Sequence, residues 1–236
     1  DTWEEEAILL PQDGAESDAF GFAVALDGDT IVITAHLDDN ANGVNSGSAY
    51  VFIRNGDTWE EEAKLLPRDG ATCDWFGSAV ALDGDTIVIT SIITFASDYN
   101  DLLVRSGSAY VFIRNGDTWE EEANLSPHDG VVGGDWFGDA VALDGDTIVI
   151  TAPYDDNDNG KDSGSAYVFI RNGDTWVEEA KLLPRDGAAF DRFGYAVALD
   201  GDTIVITAPL GDNDNGVDSG SAYVFIRNGD TWEEEA

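Results

Sequence analysis

Short runs of alternating hydrophobic and polar residues fill the chain, and no stretch keeps the apolar spacing of an amphipathic helix for a useful length. In "FGFAVAL" (Phe20 to Leu26) the alternation puts Val24 on one face and Ala23 and Ala25 on the other. "TIVIT" (Thr30 to Thr34) is an almost unbroken β-branched run, which suits a strand buried on both faces. "SAYVFIR" (Ser48 to Arg54) and "TWEEEA" (Thr58 to Ala63) complete the set. "DGD" separates the first two runs and "NGD" the last two. Both are hairpin signals, because Asp-Gly and Asn-Gly supply the positive φ angles that primed turns require. The pattern predicts four short antiparallel strands.

The pattern then recurs. Phe-Gly followed by "AVALDGDTIVIT" stands at Phe20, Phe76, Phe137 and Phe193, and "SGSAYVFIRNGDTW" begins at Ser46, Ser106, Ser163 and Ser219. The repeat units fall at about residues 8–63, 64–123, 124–180 and 181–236 of a single domain, with 1–7 as an extra outer strand. Four antiparallel strands per unit with Gly-rich turns describe an all-β protein, a β-propeller of four four-stranded blades. A β-solenoid fits less well, since its coils are shorter and parallel.

"DRFGYAVALDGDTIVITAP" (Asp191 to Pro209) resembles the FG-GAP repeat, the blade motif of integrin α-subunit propellers and of many prokaryotic surface proteins. The resemblance extends over all four units. Phe-Gly is kept in each, while the "GAP" part reads "TAH" at Thr34, "TSI" at Thr90 and "TAP" at Thr151 and Thr207. It implies an extracellular or cell-surface propeller engaged in adhesion or matrix contacts, without enzymatic activity of its own. Integrin blades carry a calcium loop, DxDxDGxxD, between their first and second strands. Here that place holds only "DGD", so the family's metal ligands do not carry over.

Charge narrows the setting. The chain has 48 acidic and 11 basic residues, a formal net charge of -37, and its only lysines are Lys64, Lys161 and Lys181. Such a surface repels nucleic acid and anionic lipid. High salt or abundant divalent cations would make the self-repulsion tolerable, which points to a halophilic or marine surface protein. No apolar run reaches the ~18 residues of a membrane helix, so membrane insertion is not expected. Cys73 stands alone and leaves no intramolecular disulfide; Met is absent, so Asp1 is not expected to be a translation start.

The acidic loops are the candidate metal sites. Asp38, Asn40, Asn42 and Asn45, then Asp155, Asn157, Asn159 and Asp162, follow the D-x-N-x-N-G opening of a calcium loop. Unit four keeps Asn213, Asn215 and Asp218 but has Gly211 in the first ligand position. No Glu stands at the twelfth position, so the alternative is a solvated turn whose Asp, Asn and Gly serve the backbone. Asp18, Asp74, Asp135 and Asp191, two residues before each Phe-Gly, are expected to bond turn amides. Trp75 and Trp136 suit either sugar stacking or packing between blades. His36 and His128 occupy different unit positions and form no pair. The carboxylates recur unit by unit, unlike an asymmetric catalytic set, so no enzyme is expected.

Two features break the repetition. Unit two carries an insertion with Ile92, Ile93, Phe95, Leu102 and Leu103, expected as an apolar loop that docks on its own propeller or on a partner. The other is a count: "DTW" opens five outer strands, at Asp1, Asp57, Asp117, Asp174 and Asp230, whereas the other three strands occur four times. Asp1 to Ala7, with Trp3, and Asp230 to Ala236, with Trp232, therefore compete for one slot. Exchange of the spare strand with a neighbouring copy is the expected route to a self-associating filament, sheath or surface layer. Glu4 to Glu6 are edge charges that oppose it at low salt. The alternative function is recognition of a surface protein or glycan through the loops.

Overall fold

The computed structural model describes residues 2–96, 103–130 and 134–235, and every regular element in them is a strand. The strands form four antiparallel sheets of four, each in sequence order, the blades of a β-propeller. Blade 1 contains β1 (Phe20–Asp27), β2 (Thr30–Ala35), β3 (Ser48–Asn55) and β4 (Thr58–Leu65). Blade 2 contains β5 (Phe76–Asp83), β6 (Thr86–Ala96), β7 (Leu103–Asn115) and β8 (Thr118–Leu125). Blade 3 contains β9 (Val141–Asp144), β10 (Thr147–Ala152), β11 (Ser165–Asn172) and β12 (Thr175–Leu182). Blade 4 contains β13 (Ala196–Asp200), β14 (Thr203–Ala208), β15 (Ser221–Asn228) and β16 (Thr231–Glu234).

The turns refine the sequence reading. Asp27 pairs with Thr30, which leaves Gly28 and Asp29 as the loop, and Gly28 has φ 54°. Among the two loop residues only the first has a positive φ, the pattern of a type II′ turn with Gly at its first central position. The aspartate before the glycine belongs to the strand. Its carboxylate is freed for another use: Asp27 accepts from the Gly84 amide of blade 2 at 2.8 Å, and Asp83 from Gly145 of blade 3 at 2.6 Å. Asp144 and Gly201 repeat the bond.

Period-two alternation gives each blade two unlike faces. The face toward the preceding blade carries large side chains: Phe76, Tyr110 and Phe112 in blade 2, with counterparts Phe137, Tyr167 and Phe169, and Phe193, Tyr223 and Phe225. Within each blade the Phe of Phe-Gly meets the other two rings edge-on at 5.5–6.3 Å between centroids. The opposite face is small and aliphatic. Val32, Ala49, Val51 and Leu65 of blade 1 lie against the aromatic face of blade 2, all of them buried. Blades 2 and 3 and blades 3 and 4 repeat this joint.

The outer strand adds a polar clasp. Pairing of β3 with β4 skips Glu62 between Ala63 and Glu61, a bulge repeated at Glu122 and Glu179. A bulge turns one side chain out of the ladder direction. Here the displaced glutamate reaches the next blade: Glu62 pairs with Arg114 and accepts from Trp119 Nε1 at 3.0 Å. Glu122 does the same with Arg171 and Trp176, and Glu179 with Arg227 and Trp232. Glu61 and its counterparts accept linker amides, as Glu121 does from Arg68 N at 2.7 Å. The glutamate triplets are thus partly structural and are not merely a solvated acidic edge.

The joint is made three times. Among the described residues no buried cluster spans blades 4 and 1. Val24 and Leu26 on β1 are 65% and 64% exposed, whereas their counterparts Val80 and Leu82 pack against the joint of blades 1 and 2. On blade 4, Ala222 is exposed, although its counterparts Ala49, Ala109 and Ala166 are fully buried.

Glu122→Ala removes a charged partner from both Arg171 and Trp176 and is expected to cost about 2 kcal/mol. Exposed Glu120→Ala is expected to stay within about 0.5 kcal/mol. Urea denaturation followed by tryptophan fluorescence checks both values, and equal losses for the two variants would remove the clasp from the account.

Candidate functional site

The acidic loops connect the second and third strands of blades 1, 3 and 4, and each closes through the same small bridge: Asn40 with Gly43, Asn157 with Gly160, Asn213 with Gly216. The asparagine orients the rest. Asn40 donates its side-chain amide to Gly47 O at 2.7 Å and Ser48 Oγ at 3.0 Å, while its Oδ1 accepts from Asn42 N at 2.8 Å. Asn42 donates to Pro67 O at 2.8 Å. Asn157 and Asn159 repeat these bonds, and Asn213 and Asn215 keep most of them. Asn45, Asp162 and Asp218 all lie at positive φ, their backbone amides bonded to Asp39, Asp156 and Asp212.

Asp38 and Asp155 are buried, and each meets a lysine. Lys64 Nζ lies 2.9 Å from Asp38 Oδ2 and 2.6 Å from Asp13 Oδ2; Lys181 Nζ lies 2.8 Å from Asp155 and 2.5 Å from Asp129. Ser48 and Ser165 donate to the same carboxylates. Each ammonium also stands over a tyrosine ring, Tyr50 at 5.1 Å and Tyr167 at 5.0 Å. Burial alone would lower both lysine pKa values, but bonds to the flanking carboxylates and the tyrosine outweigh it and hold them above the ordinary 10.5. Burial likewise pushes the Tyr50 and Tyr167 hydroxyls up.

Calcium takes six to eight converging oxygens. The asparagines of the loop turn N–H groups toward the carbonyls of Gly47 and Pro67, and the cation beside each buried aspartate is an ammonium. Among the described residues no group of three or more His, Cys, Asp or Glu side chains is placed to share a metal. The signal lay in the sequence: lysine stands at 64 and 181, after the two loops that begin with Asp38 and Asp155. Asn124 takes that place after the loop of unit two, which has lost the pattern.

The remaining expectations fall out individually. Asp18, Asp74 and Asp191 accept from the amides of Ala15, Ala71 and Ala188 three residues earlier, as expected for turn formers. Trp75 reaches across to His36 of unit one, which stacks on Phe22; Trp136 packs on Tyr154, over which Arg192 of unit four lies at 4.6 Å. Trp75 thus crosses a unit boundary, and at the Trp136–Tyr154 pair the crossing contact is made by Arg192. Burial lowers the pKa of His36, and His128 lies in a linker far from it in sequence, its amide bonded to Glu178.

The insertion of unit two is a hairpin rather than a loop. β6 and β7 run on past their counterparts, pairing Ile92 with Gly107, Ile93 with Ser106, Phe95 with Val104 and Ala96 with Leu103. β-branched and aromatic residues following directly on "TIVIT" prolong the ladder. Ile92 is buried, and Leu102 lies outside the described residues.

At the ends, the outer slot of blade 4 is filled by β16, not by the N-terminal segment, because Asn228 and Thr231 flank a tight turn that pairs the strand locally. Asp230 sits in that turn, and Trp232 is clasped by Glu179. Thr2 to Ala7 form no strand, and Trp3 is fully exposed. Yet Glu6 pairs with Arg54 just as Glu62 pairs with Arg114, and Leu9 packs against the buried cluster of Ala35, Tyr50 and Phe52 in blade 1. The segment thus lies where the outer strand of a preceding blade would lie. Asp1 and Ala236 lie outside the described residues.

The FG-GAP repeat model matches residues 3–52, 59–112, 119–169 and 176–225. Among solved structures, the chain is similar to Saccharomyces cerevisiae Sqt1, with 10% identity over 93% of this chain and 48% of that one, at a TM-score of 0.48. It is also similar to the Bombyx mori GH32 beta-fructofuranosidase BmSUC1, with 13% identity over 90% of this chain and 47% of that one, at a TM-score of 0.45. The chain spans about half the length of each, and at such scores the likeness does not bear on function. No curated protein matches.

Lys64→Met leaves Asp38 buried without its cation and is expected to cost about 2–3 kcal/mol, below a fully buried pair because the lysine is partly exposed. Lys161→Met, on an exposed loop residue, is the near-neutral comparison. Lys64 and Lys181 have raised folded pKa values, so their stabilisation is complete below 10.5 and is lost as pH rises through the folded values. Urea midpoints measured from pH 9 to 12 should fall above 10.5 in the parent chain and fall less in Lys64→Met.

Proposed function

The chain belongs to the FG-GAP repeat family, and on that footing we propose that it is a non-enzymatic extracellular structural module that self-assembles by exchanging a terminal strand. The observation that carries this reading is the count of five "DTW" segments against four outer slots. Four of their tryptophans are partly buried, and each has an arginine over its ring, as Arg54 lies over Trp59 at 5.6 Å. The fifth, Trp3, is uncovered. Burying it in a neighbour is favourable, and the acidic edge is the opposing term. Raising salt shortens the Debye length from about 10 Å at 0.1 M to about 3 Å at 1 M, so assembly belongs to a saline exterior.

The unit-two hairpin favours a second reading. Among the described residues β6 and β7 run on past their counterparts in the other blades, as a recognition element for a surface protein or glycan would.

A chain lacking residues 1–7 is expected to keep its thermal transition and lose any oligomer seen for the full chain in 1 M or higher salt. Sedimentation velocity at low and high salt, with electron microscopy of the high-salt sample, checks this. Oligomers undiminished by the deletion would overturn strand exchange, and a monomeric full chain under all conditions would overturn assembly.

A further inference from the structure

The four units serve as their own comparison. In each, the turn between the first and second strands reads "DGD" and the turn between the third and fourth reads "NGD". Both turns lie at one end of a blade, because its strands alternate in direction. At the opposite end are the loop between the second and third strands and the linker into the next blade, and these differ from unit to unit. Where the loop of blade 3 meets the linker into blade 4, the departures gather. Tyr154 stands in the place of Leu37 and Leu210, and Lys161 in that of Val44 and Val217. Phe190 takes the place of Ser17, Cys73 and Gly134, and Arg192 that of Ala19, Trp75 and Trp136.

The geometry brings these residues together. Phe190 N donates to Lys161 O at 2.8 Å and Arg192 N to Asp162 O at 3.3 Å, so loop and linker are tied side by side. Phe190 and Arg192 hold φ 75° and 57° on either side of buried Asp191. Small Ser17 and Ala19 hold the same conformation in unit one, and it is less favourable for a side chain as bulky as Phe. Phe190 is nevertheless 54% exposed. Beside it Trp136 packs on Tyr154 at 4.4 Å between centroids, with the Arg192 guanidinium 4.6 Å from the Tyr154 ring centre. Among the residues whose side chains are described, the other arginines and lysines each hold a carboxylate or a backbone carbonyl. Lys161 and Arg192 hold neither. Lys161 is exposed, and Arg192 Nε is buried without a partner. Arg171 Nε is likewise unpartnered, but its terminal nitrogen holds Glu122, whereas the terminal nitrogens of Arg192 bond nothing among the described residues.

We propose that this junction binds a carboxylated sugar, a uronic acid unit of a polysaccharide, with its carboxylate on Arg192 and Lys161 and its ring on Phe190. In a chain with 48 acidic residues, two cations without carboxylates on adjoining segments form a local anion site. The ring beside them selects the rest of the ligand. A pyranose lays its C–H face on the negative face of an aromatic ring, and being rigid it loses little conformational freedom there. Its hydroxyls donate to the exposed carboxylates of Asp156 and Asp158 on the same loop, groups that would repel an acidic peptide. The net charge of -37 opposes any anion at long range, and salt shortens that range while the contacts at the site persist. Site and ligand are separate from strand exchange and from the unit-two hairpin.

Titration calorimetry of the full chain with a trimer of galacturonic acid tests this, in about 0.5 M salt to screen the surface and with a chelator to exclude bridging cations. Saturable binding is expected, weaker by at least about tenfold for the neutral galactose trimer and for Arg192→Ala combined with Lys161→Val. Both replacements are the residues of unit one, Ala19 and Val44, where the same backbone folds, so the thermal transition should stay in place. Phe190→Ser, after Ser17, is expected to weaken the acidic trimer severalfold through loss of the stacked ring. No binding at millimolar trimer, equal binding of the neutral trimer, or undiminished binding in the variants overturns the proposal. The comparison of charged and neutral trimers uses the parent chain and decides even where a variant fails to fold. An acidic peptide of equal charge that binds as tightly as the trimer would overturn the sugar and put a peptide in its place.

Discussion

Everything in this molecule depends on fitting an aromatic sheet face against an aliphatic one. A single four-stranded blade cannot bury both of its faces, and a lone sheet without a packed face is marginal in water. Phe76, Tyr110 and Phe112 need Val32, Ala49 and Val51 as much as the reverse. Stability is therefore a property of neighbours, as in other repeat architectures. The end blades carry the same faces as the inner ones, which is why Val24, Leu26 and Ala222 are exposed while their counterparts are covered.

The polar chemistry follows the same joint. A net charge of -37 looks like uniform surface decoration, but many carboxylates have assigned partners. Glu62, Glu122 and Glu179 are turned by bulges onto the arginine and tryptophan of the next blade. Asp27, Asp83 and Asp144 cap the glycine amide of the next hairpin turn. Lys64 and Lys181, two of three lysines, are spent inside the loops against Asp38 and Asp155. Salt that screens the exposed carboxylates leaves these protected contacts largely untouched.

Where the reading from sequence went astray, the cause was the same each time. The apolar insertion of unit two was expected as a loop, and cross-strand pairing made it a hairpin. The Asp of each "DGD" was assigned to the turn, and register placed it at the strand end, where it serves the adjoining blade.

The residues alone determined the strand count of each unit, the hairpins and the four blades, because period-two alternation and Asp-Gly or Asn-Gly turns are local and recur. Which face meets which and which glutamate is displaced by a bulge were decided only by tertiary structure. Those outcomes depend on contacts between residues some fifty or more positions apart, such as Glu62 with Arg114. Near-identical repeats give every unit the same local sequence. Position in the stack, which no single unit encodes, decides whether that sequence is buried core or open surface.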